Sequence, residues 1–233
     1  MKKHIPNIIT LGNLYCGSIA TIFAVQENFE LAALFVVLGI VFDFFDGFAA
    51  RLLNVSGELG KQMDSLADMV TSGVVPGIIM YHLLDNASSG IPALKYFGLL
   101  LTLGACYRLA KFNIDTRQSD SFIGLPTPAM SLFIISLPLI QEYTTYEFAS
   151  YLISNHYFLL VITLLLTYIM NAELPLFSLK FKNYNFKNNV VKYLFLIASS
   201  TLLFSVKYIA IPLVILLYVF LSMISNYGKR TTG

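Results

Sequence analysis

Four aspartates fall within 26 residues of a chain otherwise poor in charge: Asp43, Asp46, Asp64 and Asp68. They belong to the segment DFFDGFAARLLNVSGELGKQMDSLAD, whose two ends are embedded in apolar, membrane-length sequence. A carboxylate at the bilayer centre costs about 2.5–3.5 kcal/mol on insertion scales, so four need compensation, and bound divalent metal is the obvious form. Asp43 and Asp46 are three apart, and Asp64 and Asp68 four apart. Both spacings place the pair on one face of a helix. A short turn through Asn54-Val55-Ser56-Gly57 joins two antiparallel helices, so the faces converge. Four convergent carboxylates form an oxygen-rich site suited to a hard cation, Mg²⁺ or Mn²⁺. Such a site accommodates two metals about 3.5–4 Å apart, the arrangement used for in-line displacement at phosphorus.

The residues between the aspartates fit the same chemistry. Gly47 and Gly57 have no side chain, so a phosphate or sugar can approach the backbone closely. Ala50 keeps the wall of the site low, and Arg51 offers a planar donor fork to phosphate oxygens. Metals, glycines and an arginine together indicate phosphoryl transfer on a phosphate-bearing substrate. Two other readings stand beside it: aspartates that merely cap helix ends at the interface, and a membrane metal-ion carrier. Neither explains the glycines and the arginine.

The elements that must position these groups are transmembrane helices. The chain has 233 residues, 57% hydrophobic and 12% charged, with a mean hydropathy of +0.72. A soluble domain would carry about 25% charged residues, so the apolar excess must face lipid. Apolar runs approaching the roughly 20 residues of a spanning helix occur at 8–25, 31–52, 65–84, 92–112, 128–143, 151–170, 190–206 and 208–226. The expected fold is an all-α polytopic bundle of about eight helices, a single membrane-embedded domain over residues 1–233. Lysines at the N-terminus followed by an apolar run imitate a signal peptide, but Asn7, Thr10 and Asn13 interrupt the run, which reads as an uncleaved first helix. Cys16 and Cys106 lie in apolar stretches and are expected to be buried thiols with no disulfide. Thr127 and Pro128 read as the N-cap and first residue of a helix.

The basic residues orient the bundle. With the N-terminus cytoplasmic, the inner set is Lys2, Lys3, Arg51, Lys61, Arg108, Lys111, Arg117, Lys180, Lys182, Lys187, Lys192, Lys229 and Arg230. Only Lys95 and Lys207 fall outside, a split of 13 to 2. Both termini are therefore expected in the cytoplasm, in a multi-pass protein of the cell membrane whose aspartates face the cytosol. The net charge of +2 is uninformative about nucleic acid, and no such partner is expected.

The order Asp43-x2-Asp46-Gly47-x2-Ala50-Arg51-x8-Gly60-x3-Asp64-x3-Asp68 resembles the signature of the CDP-alcohol phosphatidyltransferase family, with no departure at a defining position. The resemblance implies a CDP-linked lipid donor, CDP-diacylglycerol, bound through Asp43, Asp46, Gly47, Ala50, Arg51, Gly57 and Gly60. It implies metal held by Asp43, Asp46, Asp64 and Asp68, with Asp68 also the catalytic base for an acceptor hydroxyl. Pro6-Asn7-Ile8-Ile9-Thr10 looks like the family's entry helix, placing Asn7 and Thr10 beside the nucleotide. A homodimer among membrane lipids is also implied by the family alone.

Two further segments, Tyr107–Asn113 (YRLAKFN) and Phe122–Ala129 (FIGLPTPA), look like the phosphatidylserine synthase branch of that family. Lys111 stands where arginine is common there, keeping the charge but not the fork. L-serine brings a carboxylate that Arg108 and Lys111, one turn apart, can clamp, and Asn113 offers both donor and acceptor groups. The bland reading of Arg108 and Lys111 is that they mark the cytoplasmic interface. Another acceptor on the same donor, glycerol 3-phosphate or inositol phosphate, is the nearest rival.

Overall fold

A computed structural model describes residues 4–55, 57–88, 91–115, 123–177 and 189–230, with side chains described to residue 225. Lys2, Lys3, Ser56, Arg117, Phe122, Lys180, Lys182 and Lys187 lie outside the described residues, as do the side chains of Lys229 and Arg230. The described chain is helical apart from connections and one isolated β-bridge between Ile123 and Pro175. Its helices are α1 (Ile5–Val25), α2 (Phe29–Leu53), α3 (Glu58–Asp68), α4 (Val75–Ala87), α5 (Leu100–Ile114), α6 (Thr127–Tyr143), α7 (Glu147–Ile153), α8 (His156–Asn171), α9 (Val190–Val206) and α10 (Ala210–Arg230). A π-helical turn, Met69–Val74, links α3 to α4, and a 3₁₀ segment, Leu94–Leu99, leads into α5.

By length and composition four described stretches suffice to cross a membrane: Ile5–Val25, Phe29–Leu53, Glu58–Ala87 and Val190–Ser225. The bent pair α7–α8 is a fifth if taken as one span. Each of the eight expected apolar runs coincides with a helical stretch, the run at 92–112 with the 3₁₀ segment and α5 together, while α5 and α6 taken alone have only 15 and 17 residues. At 1.5 Å per residue α6 alone falls short of a hydrocarbon core about 30 Å thick, whereas α5 gains the preceding 3₁₀ segment. The 151–170 run is not one helix. Asn155 adopts an extended conformation, and its side chain accepts from the N–H groups of Tyr157 (2.9 Å) and Phe158 (3.3 Å). This cap starts α8 at a 72° bend from α7. The last long stretch is itself a hairpin: Lys207 takes a positive φ of 47°, and beyond it Tyr218 returns to pack its ring 5.7 Å from that of Phe195.

The outer faces carry large apolar side chains, such as Phe44, Phe45, Phe48 and Leu52 on α2, as lipid exposure requires. The inner faces are small or aliphatic, with Val36, Ile79, Met80, Leu101, Phe133, Ile134 and Leu166 in one continuous core. Around Thr71, close approach depends on two glycines. A Cβ at Gly17 would lie 2.2 Å from Thr71 Oγ1, and one at Gly39 2.7 Å from Thr71 Cγ2. Their absent side chains let the π-helical turn wedge against the α1–α2 pair. Two expectations need correcting. Cys16 is buried, but Cys106 is exposed, since an apolar run does not say which face meets lipid. Helix α6 begins at Thr127 with Pro126 as its cap, and the Thr127 hydroxyl is buried with no hydrogen-bond partner rather than capping.

Candidate active site

The α2–α3 connection brings the aspartates together. Asn54 ends α2 in the left-handed conformation (φ 51°, ψ 45°), which asparagine tolerates, and Val55 N–H closes the turn onto Ala50 O at 3.0 Å. Gly57 then caps α3 in an extended conformation open to any residue, so its value lies in the space it leaves. A Cβ at Gly47 or Gly57 would meet nothing within 4 Å.

One carboxylate oxygen each from Asp43, Asp46 and Asp64 lies within 4.8 Å of the other two. Asp46 is 6% exposed and accepts a 2.6 Å hydrogen bond from Thr10 Oγ1. Asp68, one turn beyond Asp64, is 8% exposed and accepts from Asn13 Nδ2 at 3.0 Å. Asp64 Oδ1 is buried without any hydrogen-bond partner. A buried carboxylate oxygen left unpaired beside two more carboxylates is the environment a hard cation satisfies, so the residues fit Mg²⁺ or Mn²⁺.

Beside this cluster lies a cavity of about 230 Å³. Asp46, Gly47 and Ala50 of α2 form one wall, and Gly57, Gly60, Lys61 and Asp64 another. Pro6, Asn7 and Thr10 of α1 close it. Of the residues expected at the donor, Asn7, Thr10, Asp46, Gly47, Ala50, Gly57 and Gly60 thus share one cavity, while Asp43 stands in the adjoining cluster. Arg51 is exposed on the last turn of α2 and lies outside that lining. Thr10 does more than flank the cavity: it fixes one oxygen of Asp46. A larger cavity of about 570 Å³, between Tyr143–Tyr146 and Ser205–Ile209, has no carboxylate in its wall.

The residues expected at the acceptor divide. Arg108 is 7% exposed, its Nε has no hydrogen-bond partner, and its guanidinium sits 6.0 Å from the ring centre of Phe112. It lies close enough to Asp68 to interact charge to charge. Arg108 and Lys111 line a small void with Ile123, Met170, Asn171 and Ala172, and Lys111 pairs with Glu173 at 3.6 Å. That void, about 10 Å³, is the size of one water. Asn113 faces α3 instead, accepting from Ser65 Oγ (3.1 Å) and donating to Gln62 Oε1 (3.2 Å). Lys61 in the cavity wall, Asn13 beside Asp68 and Asn171 in the small void belong to no motif of the sequence. The only signal for Asn13 was a polar side chain interrupting an apolar run.

A profile of the CDP-alcohol phosphatidyltransferase family matches residues 3–170, which include every residue discussed at this site except Asn171, Ala172 and Glu173. The chain belongs to the CDP-alcohol phosphatidyltransferase family. The resemblance read from residues 43–68 is thereby borne out, and the aspartate cluster lies inside the matched region. Among curated relatives, the CDP-diacylglycerol–serine O-phosphatidyltransferase of Bacillus subtilis (strain 168) is 39% identical over 139 residues, 58% of this chain and 75% of that protein. The protein of the same name from Helicobacter pylori (strain J99) is 35% identical over 139 residues, 59% of this chain and 58% of its own length. The archaetidylserine synthase of Methanothermobacter thermautotrophicus is 29% identical over 147 residues, 60% of each chain. The chain thus spans less than two thirds of the length of the latter two family members.

Proposed function

We propose that the protein transfers a phosphatidyl group from CDP-diacylglycerol to the hydroxyl of L-serine, releasing CMP, from a site facing the cytoplasm. The observation that carries the donor half is the trio of carboxylates within 4.8 Å, with an unpaired Asp64 oxygen, beside a glycine-walled cavity. The names of the relatives support serine as acceptor. The 13 to 2 division of basic residues supports the orientation.

Asp43, Asp46, Asp64 and Asp68 hold the divalent metal, Mg²⁺ or Mn²⁺. When bound, the ion supplies positive charge against the donor pyrophosphate and the departing CMP. Gly47, Gly57 and Gly60 leave room for the nucleotide and its phosphates against the backbone, with Asn7, Thr10 and Ala50 around them and Arg51 at the edge. Arg108, a buried cation with an unpaired Nε, takes the serine carboxylate together with Lys111. Asp68 accepts the proton of the serine hydroxyl as its oxygen bonds to the lipid-linked phosphorus and the bond to CMP breaks. The small void at Arg108 must widen to admit serine. Asn113 reaches serine only by releasing Ser65 and Gln62, so its contribution is to brace α5 against α3.

The test is CMP release by the purified protein with CDP-diacylglycerol, Mg²⁺ or Mn²⁺, and serine, glycerol 3-phosphate or inositol phosphate in turn. Release with serine alone is expected, and replacing Arg108 by Gln should raise the serine KM more than the donor KM. Release with a phosphorylated polyol instead would overturn the acceptor assignment and keep the donor site. Cation flux without CMP release would favour a carrier.

A further inference from the structure

Asn13 is a fully buried amide in the middle of an apolar helix. Its Nδ2 lies 3.0 Å from Asp68 Oδ1, and its Oδ1 lies 2.8 Å from Thr71 Oγ1. The two ends of an amide are told apart only by their partners. Here an acceptor carboxylate faces one end and a donor hydroxyl the other, so the NH₂ is directed at Asp68. Thr71, also fully buried, sits in the π-helical turn that directly follows Asp68. Such turns re-aim side chains that a continuous α-helix would place elsewhere.

Several threonine hydroxyls elsewhere in these helices are satisfied locally. Thr21, Thr163, Thr167 and Thr201 each donate to the carbonyl four residues back, at 2.7–2.9 Å. Thr71 instead turns across to α1, its nearest acceptors being the side-chain and backbone oxygens of Asn13 at 2.8 and 3.2 Å. Gly17 and Gly39 make that possible, since a Cβ at Gly39 would fall 2.8 Å from Asn13 Oδ1 and one at Gly17 would strike Thr71 Oγ1. The glycines, the turn, the hydroxyl and the amide therefore converge on one oxygen of one carboxylate.

We propose that Asn13, oriented by Thr71, is the positioning residue for Asp68. It holds Oδ1 by one hydrogen bond, which fixes the carboxylate's orientation and turns Oδ2 toward the acceptor hydroxyl. This rests on the reading of Asp68 as the base, and it adds two residues that do not themselves touch substrate. The proton passes from the acceptor hydroxyl to Asp68 Oδ2, and Asn13 gives up nothing in the step.

The experiment is steady-state kinetics of the purified full chain with CDP-diacylglycerol, L-serine and Mg²⁺, comparing Asn13→Ala, Thr71→Val, Thr71→Ser and the double variant Asn13→Ala/Thr71→Val. Removing a group that orients a functional carboxylate is expected to lower kcat about 10- to 100-fold for Asn13→Ala. Thr71→Val should fall in the same direction by less, and Thr71→Ser, which keeps the hydroxyl, should stay near wild type. The KM for CDP-diacylglycerol should hold within about twofold, and the double variant should be no worse than Asn13→Ala, because members of one chain do not act additively. An unchanged kcat in Asn13→Ala, equal damage from Thr71→Ser and Thr71→Val, or additive losses would overturn the proposal. Should Asn13→Ala fail to fold, the Thr71→Val and Thr71→Ser pair decides it, and equal activities in the two refute it. A wild-type protein that releases no CMP overturns the proposed function and this inference with it, whereas an active wild type with unaffected variants overturns the inference alone.

Discussion

At the residue scale, two classes of glycine separate function from packing. A Cβ at Gly47 would meet nothing within 4 Å, yet Gly47 lines the cavity beside the aspartates. Gly47→Ala is therefore expected to leave thermal stability unchanged or raise it by up to about 1 kcal/mol, as alanine favours helix. It should nevertheless raise the KM for CDP-diacylglycerol about tenfold or more by displacing the bound phosphates. Gly17→Ala should do the reverse, destabilising the fold by about 1–3 kcal/mol through a 2.2 Å clash with Thr71 Oγ1. Thermal unfolding and donor kinetics on the two variants check both statements. The aspartates were legible in the sequence because three- and four-residue spacings fix a helix face locally. Asn13 and Thr71 were not, because their contact spans 58 residues and depends on the register of α1 against the π-helical turn. No residue type marks such a turn.

At the element scale, breaks matter more than the helices they separate. Asn155 stops α7 and starts α8, with two N–H groups capped by one side chain. Asn155→Ala should lower stability by about 1 kcal/mol, read as a shift in the thermal midpoint, with donor KM unchanged because the cavity lies elsewhere. The hydrophobic runs revealed the helices but merged α7 with α8, since both halves are apolar and hydropathy does not register a 72° bend. The start of α6 is obscured for a similar reason: Thr127-Pro128 satisfies the composition of a helix start, but Pro126 already holds the non-helical conformation. Hydropathy likewise put Cys106 inside, although lipid and core are equally apolar.

At the scale of the whole molecule, the central question is which side the aspartates face and what they do there. In a Cys106→Ser background, Glu58→Cys at the α2–α3 turn should react with a membrane-impermeant maleimide only in inverted vesicles. Ile91→Cys, exposed before α5, should react only in intact cells. The opposite pattern would reverse the orientation drawn from the basic residues. The most direct test of the site itself is the metal dependence of CMP release with CDP-diacylglycerol and serine, in wild type and in Asp64→Asn. Equal amounts of CMP and phosphatidylserine should form with Mg²⁺ or Mn²⁺, vanish with EDTA, and fall at least about 100-fold in Asp64→Asn, since the metal's charge contributes several kcal/mol to such reactions. Undiminished CMP release in EDTA, or from Asp64→Asn, would contradict a metal-dependent transferase built on these four aspartates.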